Sequence, residues 1–256
     1  MAAKVSILMS VYNPNWDYLK ETLDSITAQT FKDYELVIVN DGADETKLSQ
    51  LLSEYSFEKV VIKNPVNLGL PRSLNAGLDK CSGEYVARID DDDLMMPRRL
   101  EVQSEYLDNT PDVVAVFSNY SIINDKREKI RERSGGYNRD IYKTLLYKGN
   151  CLCHSTLFAR KSELQKLGGY DGKLTYAQDY DLYLRMIKSG SIFELTEPLV
   201  CFREVPGRIT KNKRLLSALF SYYASLKNLE KYDFRVFWMR TVITIKQLLK
   251  VLRATD

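Results

Sequence analysis

Three features of this 256-residue chain dictate an α/β fold with a mainly parallel central sheet flanked by helices, followed by a helical extension. Short β-branched apolar runs alternate with amphipathic stretches of helical period over the first hundred residues. Three of those runs end in polar segments: Ser10-Val11-Tyr12-Asn13, Asn40-Asp41-Gly42 and Asp90-Asp91-Asp92-Asp93. Beyond residue 205 the chain becomes basic and amphipathic.

Val5-Ser6-Ile7-Leu8-Met9 is the first strand, and Tyr12-Asn13-Pro14-Asn15 the loop after it. Asp17 is placed to cap a helix in which Leu19, Leu23, Ile26 and Thr27 recur at three- and four-residue spacing. Residues 35–39 form a second strand, 48–55 a helix and 59–63 a third strand. Asn67-Leu68-Gly69 turns into a helix through Leu74 and Leu78, and Gly83 leads into strand 85–89. Then 97–106 reads as helix, 113–117 as strand, 141–146 as helix, 155–159 as strand and 161–167 as a short helix stopped by Gly168-Gly169. Gln178-Asp179-Tyr180-Asp181 opens another helix, and 198–203 is the last strand.

Parallel sheets bind ligands outside the C-terminal ends of their strands, so the three polar segments should converge on one pocket. Hydrophobic residues at 45% allow a sizeable core, and a net charge of +3 gives no argument for nucleic acid. Cysteines 81, 151, 153 and 201 have no C-x-x-C spacing and read as buried free thiols in preference to a metal site at Cys151-Leu-Cys153-His154. No stretch reaches 18 apolar residues, and residues 1–10 hold no signal-peptide core, so a reduced, cytoplasmic enzyme is expected.

Four consecutive carboxylates after a buried strand repel one another, and a hard divalent cation is the usual remedy. Mg²⁺ needs only one or two carboxylates when phosphates supply the rest, so the ion would bridge a diphosphate and offset charge on it as it leaves. The bland alternative is a solvated turn capping the next helix.

The segments SILMSVYN, QTFKDYELVIVNDGADE, NLGLPRSLNAGL, GEYVARIDDDDLMMPRRLE, HSTLFARKS, GGYD and QDYDLYLRM occur in the order found in family 2 inverting glycosyltransferases. The chain resembles that family over residues 4–203, above all its bacterial O-antigen and capsule enzymes. The resemblance implies the GT-A fold for residues 1–205, with 1–95 binding nucleotide and 96–205 carrying acceptor and catalysis. It implies that Ser10 and Tyr12 line the base and ribose, that Asp41 accepts the uracil imide N–H, and that Arg72 and Asn75 touch the nucleotide unless they are merely helix surface. Asp92 becomes the ligand of Mn²⁺ or Mg²⁺, Asp90 and Asp91 belong to the nucleotide-sugar site, and Asp93 assists. Asp179 becomes the general base that inverting transfer needs, with Asp181 in reserve; the alternative for Asp179 is a charge favoured at a helix N-terminus.

Two departures from the family pattern stand out. Its Glu-Asp pair is Gln178-Asp179 here, and Phe202-Arg203-Glu204-Val205 lacks the histidine that often follows the last strand, leaving Arg203, Arg208 or Lys211 to supply positive charge. His154 is the only histidine, either packed or, in the family's H-S-T motif, near the acceptor. The expected reaction moves a hexose, glucose or galactose, from a UDP-sugar to a lipid-linked saccharide such as GlcNAc-diphosphate-undecaprenol. A non-catalytic nucleotide-sugar or carbohydrate-binding relative is the alternative; a dinucleotide oxidoreductase is disfavoured because no G-x-G-x-x-G follows the first strand.

From Arg203 to Arg253 the chain holds twelve Lys/Arg against Glu204, Glu230 and Asp233. Residues 215–229 and 234–252 read as amphipathic helices, the second with Arg235, Lys246, Lys250 and Arg253 on one face. Such a tail over 206–256 suits the inner membrane surface, the core or a second subunit of a homodimer.

Overall fold

The computed structural model describes residues 3–133, 145, 149–204, 214–228, 238–239 and 241–245. Strands β1 (Val5–Val11) and β2 (Tyr34–Asn40) are buried along nearly their whole length, which is why they read as continuous apolar runs. β3 (Glu58–Lys63) lies outside β2, and β4 (Tyr85–Arg88) lies on the other side of β1, all parallel. The sheet is mainly parallel as expected, and its antiparallel pairs lie in the second half. β8 (Phe158–Arg160) runs antiparallel between β4 and β6 (Val113–Ile123), whereas β9 (Ser191–Arg203) is parallel to β6. The order is β3-β2-β1-β4-β8-β6-β9-β5, where β5 (Leu94–Met95) closes one edge and β7 (Lys129–Glu132) hangs on β6. The sheet is mixed because β4 and β6 are bridged by a short strand of opposite sense.

Helices α1 (Trp16–Thr27), α2 (Glu45–Ser53) and α4 (Arg99–Asp108) cover one face through Leu19, Leu23, Leu48, Leu52 and Leu100. Helices α3 (Leu70–Leu78), α5 (Lys161–Lys166), α6 (Gln178–Ser189) and α7 (Arg214–Asn228) cover the other, with Leu74, Leu164, Leu184 and Ala224 buried. The cap of α1 is Asn15, not Asp17: its side chain accepts from Asp17 N at 3.0 Å and Tyr18 N at 3.3 Å. Asp17 instead sits in the first turn, where a negative charge suits the helix dipole.

Three other elements differ from the sequence expectation. His154–Thr156 is a 3₁₀ turn ahead of β8, closed by Thr156 N and Thr156 Oγ1 on Cys153 O, so the expected strand 155–159 starts later. β6 continues to Ile123, and β9 begins at Ser191 because a bulge absorbs Pro198. There Asn119 Nδ2 donates to Thr196 O at 2.9 Å. The helix expected at 141–146 lies outside the described residues except for helical Leu145. α7 matches the first tail helix; of the second, 238–239 and 241–245 are described and are helical. Among the described residues no helix is long and apolar enough to cross a membrane.

Candidate active site

β1, β2 and β4 all end on the same edge, and their polar sequels meet there. Tyr12 and Asn13 from the first segment, Pro14 and Asn15 just after it, and Asp91 and Asp92 from the third line one cleft of about 450 Å³, with Tyr18 and Asp125. Asp41 from the second segment is buried and does not line it. Gly42, with φ +133°, accommodates the Tyr12 ring: a Cβ there would lie 2.9 Å from Tyr12 Cδ2. Tyr12 is 60% exposed, and Ser10 is half-buried beside Val39.

The four aspartates are not equivalent. The turn closes with Asp93 N on Asp90 O at 3.5 Å, and carboxylate oxygens of Asp90, Asp92 and Asp93 lie within 4.8 Å of one another. Asp90 is paired with the buried Arg88 guanidinium, which also donates to Ser155 Oγ at 3.0 Å. Burial works against the charge on Arg88, but Asp90 outweighs it and the arginine is held more firmly protonated than usual. Asp93 is fully buried, bonded to Ser155 Oγ and to Arg203 N at 2.8 Å. Asp91 is half-buried, and burial, then the charges of Asp90 and Asp92, push its carboxyl up to about 8. Asp92 is the remaining member, and it faces the cleft. The donors are all hard oxygens with room for phosphate, which suits Mn²⁺ or Mg²⁺.

Arg203 is not a surface cation offered to a ligand. It is fully buried, and its guanidinium is engaged by Asp92 O, Glu21 and the carbonyls of Asn124 and Asp125. Arg208 and Lys211 lie outside the described residues.

Asp179 stands in the first turn of α6, after Ala177 in a left-handed conformation at φ 57°. Its carboxylate accepts from Asn150 Nδ2 at 2.7 Å and Tyr180 N at 2.8 Å, and burial raises its pKa above the ordinary carboxylate value. Arg88 acts on both Asp90 and Asp179, so the two carboxylates share one electrostatic neighbourhood. Asp181 is elsewhere: fully buried, it is bonded to Arg185, Lys227 and Asn228 and ties α7 to α6.

His154 Nε2 lies 2.8 Å from the Tyr170 hydroxyl, and burial, reinforced by Arg88, keeps the imidazole neutral. Arg72 and Asn75 hold the Gly168–Gly172 loop. Asn75 exchanges two 2.8 Å hydrogen bonds with the Tyr170 backbone, and Arg72 Nε donates to Gly172 O at 3.2 Å. Asp41 is buried; Oδ1 accepts from Asn64 Nδ2 at 2.7 Å and Leu68 N at 2.8 Å, and Oδ2 from Gly69 N at 3.0 Å. All four cysteines are free thiols, Cys81 and Cys153 buried as expected but Cys151 and Cys201 only half-buried, and burial pushes Cys153 up to about 12.

The sequence reading passed over Arg88, Ser155, Glu21, Tyr18 and Asn150. A charge inside the apolar strand 85–89 was a visible signal for Arg88. Glu21 and Tyr18 carry none, since they look like any solvated residues of an amphipathic helix.

The model of the glycosyl transferase family 2 matches residues 6–168. The chain belongs to glycosyl transferase family 2. An uncharacterized glycosyltransferase of Methanocaldococcus jannaschii is 33% identical over 86% of this chain and 77% of its own. The O-antigen biosynthesis glycosyltransferase WbnJ of Escherichia coli is 31% identical over 94% and 91%, and the amylovoran biosynthesis glycosyltransferase AmsE of Erwinia amylovora 34% over 81% and 79%. Among solved structures, S. aureus TarS 1-349 in complex with UDP-GlcNAc superposes with a TM-score of 0.71 at 17% identity, over 94% of this chain and 71% of that one. A longer TarS chain is matched over 39% of its length. The mannosyltransferase PcManGT of Pyrobaculum calidifontis, with GDP-Man and Mn²⁺, gives 0.67 at 20% identity, over 99% and 76%. This glycosyltransferase has the expected GT-A fold.

Proposed function

We propose that this glycosyltransferase moves a hexose from a UDP-sugar to a lipid-linked saccharide, with inversion, in surface polysaccharide assembly. The observation that carries the reading is one cleft lined by Asp91, Asp92 and the exposed Tyr12 at the C-terminal strand ends. WbnJ and AmsE, matched over 91% and 79% of their own lengths, support the polysaccharide context. TarS bound to UDP-GlcNAc and PcManGT bound to Mn²⁺ support the donor class and the metal.

In this reading the half up to residue 95 holds the nucleotide. Tyr12 and Ser10 flank base and ribose, with Asp91 at the ribose or sugar. Asp41 has three donors on about four acceptor positions, leaving one on Oδ2 for an imide N–H. Asp92 holds Mn²⁺ or Mg²⁺, which when bound offsets charge on the diphosphate. Asp179 takes the proton of the acceptor hydroxyl as its oxygen bonds to the anomeric carbon and the bond to UDP breaks on the opposite face. A raised pKa makes that carboxylate a better base, and Asn150 and Tyr180 N fix its orientation. His154 and Tyr170 border the acceptor half as a neutral hydrogen-bonding pair.

The tail completes the reading. One face of α7 is anchored on α6, while Leu215, Leu216, Leu219 and Tyr223, and beyond them Trp238, Val242 and Ile245, are exposed. Apolar residues beside a cationic sequence fit the surface of an anionic membrane, where each nearby Lys/Arg adds about 1 kcal/mol.

A donor screen against a synthetic GlcNAc-diphosphate-lipid, with linkage read by NMR, tests the whole reading. Transfer should vanish in Asp92→Ala and Asp179→Asn while Asp179→Asn still binds UDP. UDP binding with no transfer to any lipid-linked acceptor would favour the non-catalytic alternative.

A further inference from the structure

We infer that Arg203 is a positioning residue that holds the metal-bearing turn and the opposite wall of the cleft in register; this rests on the assignment of Asp92 to the metal. Arg203 ends β9, and β9 is paired through Cys201 and Val200 with β5, the two residues that follow the aspartates. The strand pairing therefore delivers Arg203 to the back of the turn.

Its contacts there are divided among three separate segments. The backbone N–H donates to Asp93 Oδ1 at 2.8 Å and Nε to Asp92 O at 2.9 Å, so one residue grips two successive aspartates. One terminal nitrogen donates to Glu21 on α1, and the guanidinium lies 4.3 Å from the centre of the Tyr18 ring one turn earlier. The other donates to Asp125 O at 3.3 Å and Asn124 O at 3.4 Å, in the β6–β7 turn. Tyr18, Asp92 and Asp125 all line the cleft. A planar guanidinium is suited to this, because its five donors diverge in fixed directions while lysine offers one mobile point charge.

A residue that served only the fold would need none of this convergence on cleft-lining groups. Supporting groups of this kind typically alter metal affinity by about 10- to 100-fold. Arg203 touches neither substrate nor metal; it acts by fixing where the Asp92 carboxylate points.

The test is a Mn²⁺ titration, with free ion followed by EPR in the presence of UDP, on wild type, Arg203→Lys, Glu21→Gln and Asp92→Ala, each first shown to melt cooperatively. Arg203→Lys is expected to weaken Mn²⁺ binding at least about tenfold, Glu21→Gln in the same direction but less. Transfer by both should recover as Mn²⁺ is raised, which a merely destabilised fold would not show. If Arg203→Lys does not fold, Glu21→Gln, three-quarters buried on α1, decides by the same titration. Wild-type Mn²⁺ affinity in the folded Arg203 or Glu21 variant, with binding lost in Asp92→Ala, overturns the inference alone. Wild-type affinity in Asp92→Ala overturns the metal assignment beneath it.

Discussion

Asp179 and Asp181 are two residues apart in a helix that sequence alone offers as carrying either one as base, and their surroundings predict opposite consequences of the same substitution. Asp181 is 0% exposed, and its carboxylate receives Arg185 Nε at 2.8 Å with Lys227 Nζ and Asn228 Nδ2 at 3.0 Å each. Asp181→Asn keeps the shape but removes the charge and turns an N–H₂ toward a cation. Breaking a buried ion pair costs about 3–5 kcal/mol. Lys227 keeps Asp171 at 2.7 Å and is a third exposed, so the lower end applies, about 3 kcal/mol. For a chain of this size that is a fall in Tm of roughly 6–12 °C. The assay is thermal unfolding by circular dichroism, with turnover measured at a temperature well below both transitions. Asp181→Asn should melt early and retain turnover. An unchanged Tm would refute the ion-pair argument, and loss of turnover in the folded variant would move the base to Asp181.

Asp179→Asn should do the reverse, losing turnover by about 10²- to 10⁴-fold with Tm at or above wild type near neutral pH. The sign follows from a folded pKa raised above the unfolded value of 3.8: the carboxylate penalises the fold once pH exceeds that window, and the penalty is absent below it. For the same reason the acid limb of the wild-type kcat profile should fall above the ordinary carboxylate range, and a limb at or below 3.8 would contradict the base assignment. Gly169→Ala, at φ +66° with a Cβ only 2.4 Å from Asn75 Oδ1, should cost about 1–3 kcal/mol in urea unfolding. The triple variant Trp238→Ala, Val242→Ala, Ile245→Ala should co-sediment less with anionic vesicles; unchanged co-sedimentation, or a concentration-dependent dimer that these residues sustain, would reject the membrane reading.

Legibility followed periodicity. In the parallel half, β1, β2 and β4 were readable because strands buried on both faces must be apolar throughout, the edge strand β3 by its β-branched Val60-Val61-Ile62, and the connecting helices by their amphipathic period. In the second half the elements were readable but not all their bounds or the strand directions, because Pro198 hid the start of β9 and a three-residue β8 is too short to show alternation. At the site, Asp90 to Asp93, Asp41 and Tyr12 were marked by the strands that deliver them. Arg72 and Asn75 show the limit: a motif position names a residue, while only the fold reveals that both hold the loop through Tyr170 and Gly172. Arg203 shows a similar limit, since a positive charge after a last strand gives no hint that the strand buries it.

The acid run is tolerable because two of its members are offset from behind the turn. Charges within 4.8 Å at an effective dielectric near 20 repel by about 3 kcal/mol or more per pair, comparable with a large share of a domain's net stability. Asp90 is offset by Arg88, and Asp93 by Ser155 and the residue carrying the Arg203 guanidinium. Both arginines are fully enclosed, so they bring positive charge without competing for the cleft. Asp91 and Asp92 line the cleft, and the upward push on Asp91 comes first from burial and then from the charges of Asp90 and Asp92. A divalent cation at Asp92 would relieve the same repulsion and would so couple metal affinity to the two buried arginines. The site's charge balance is therefore set from behind the turn, at the ends of β4 and β9, as much as by the carboxylates in front.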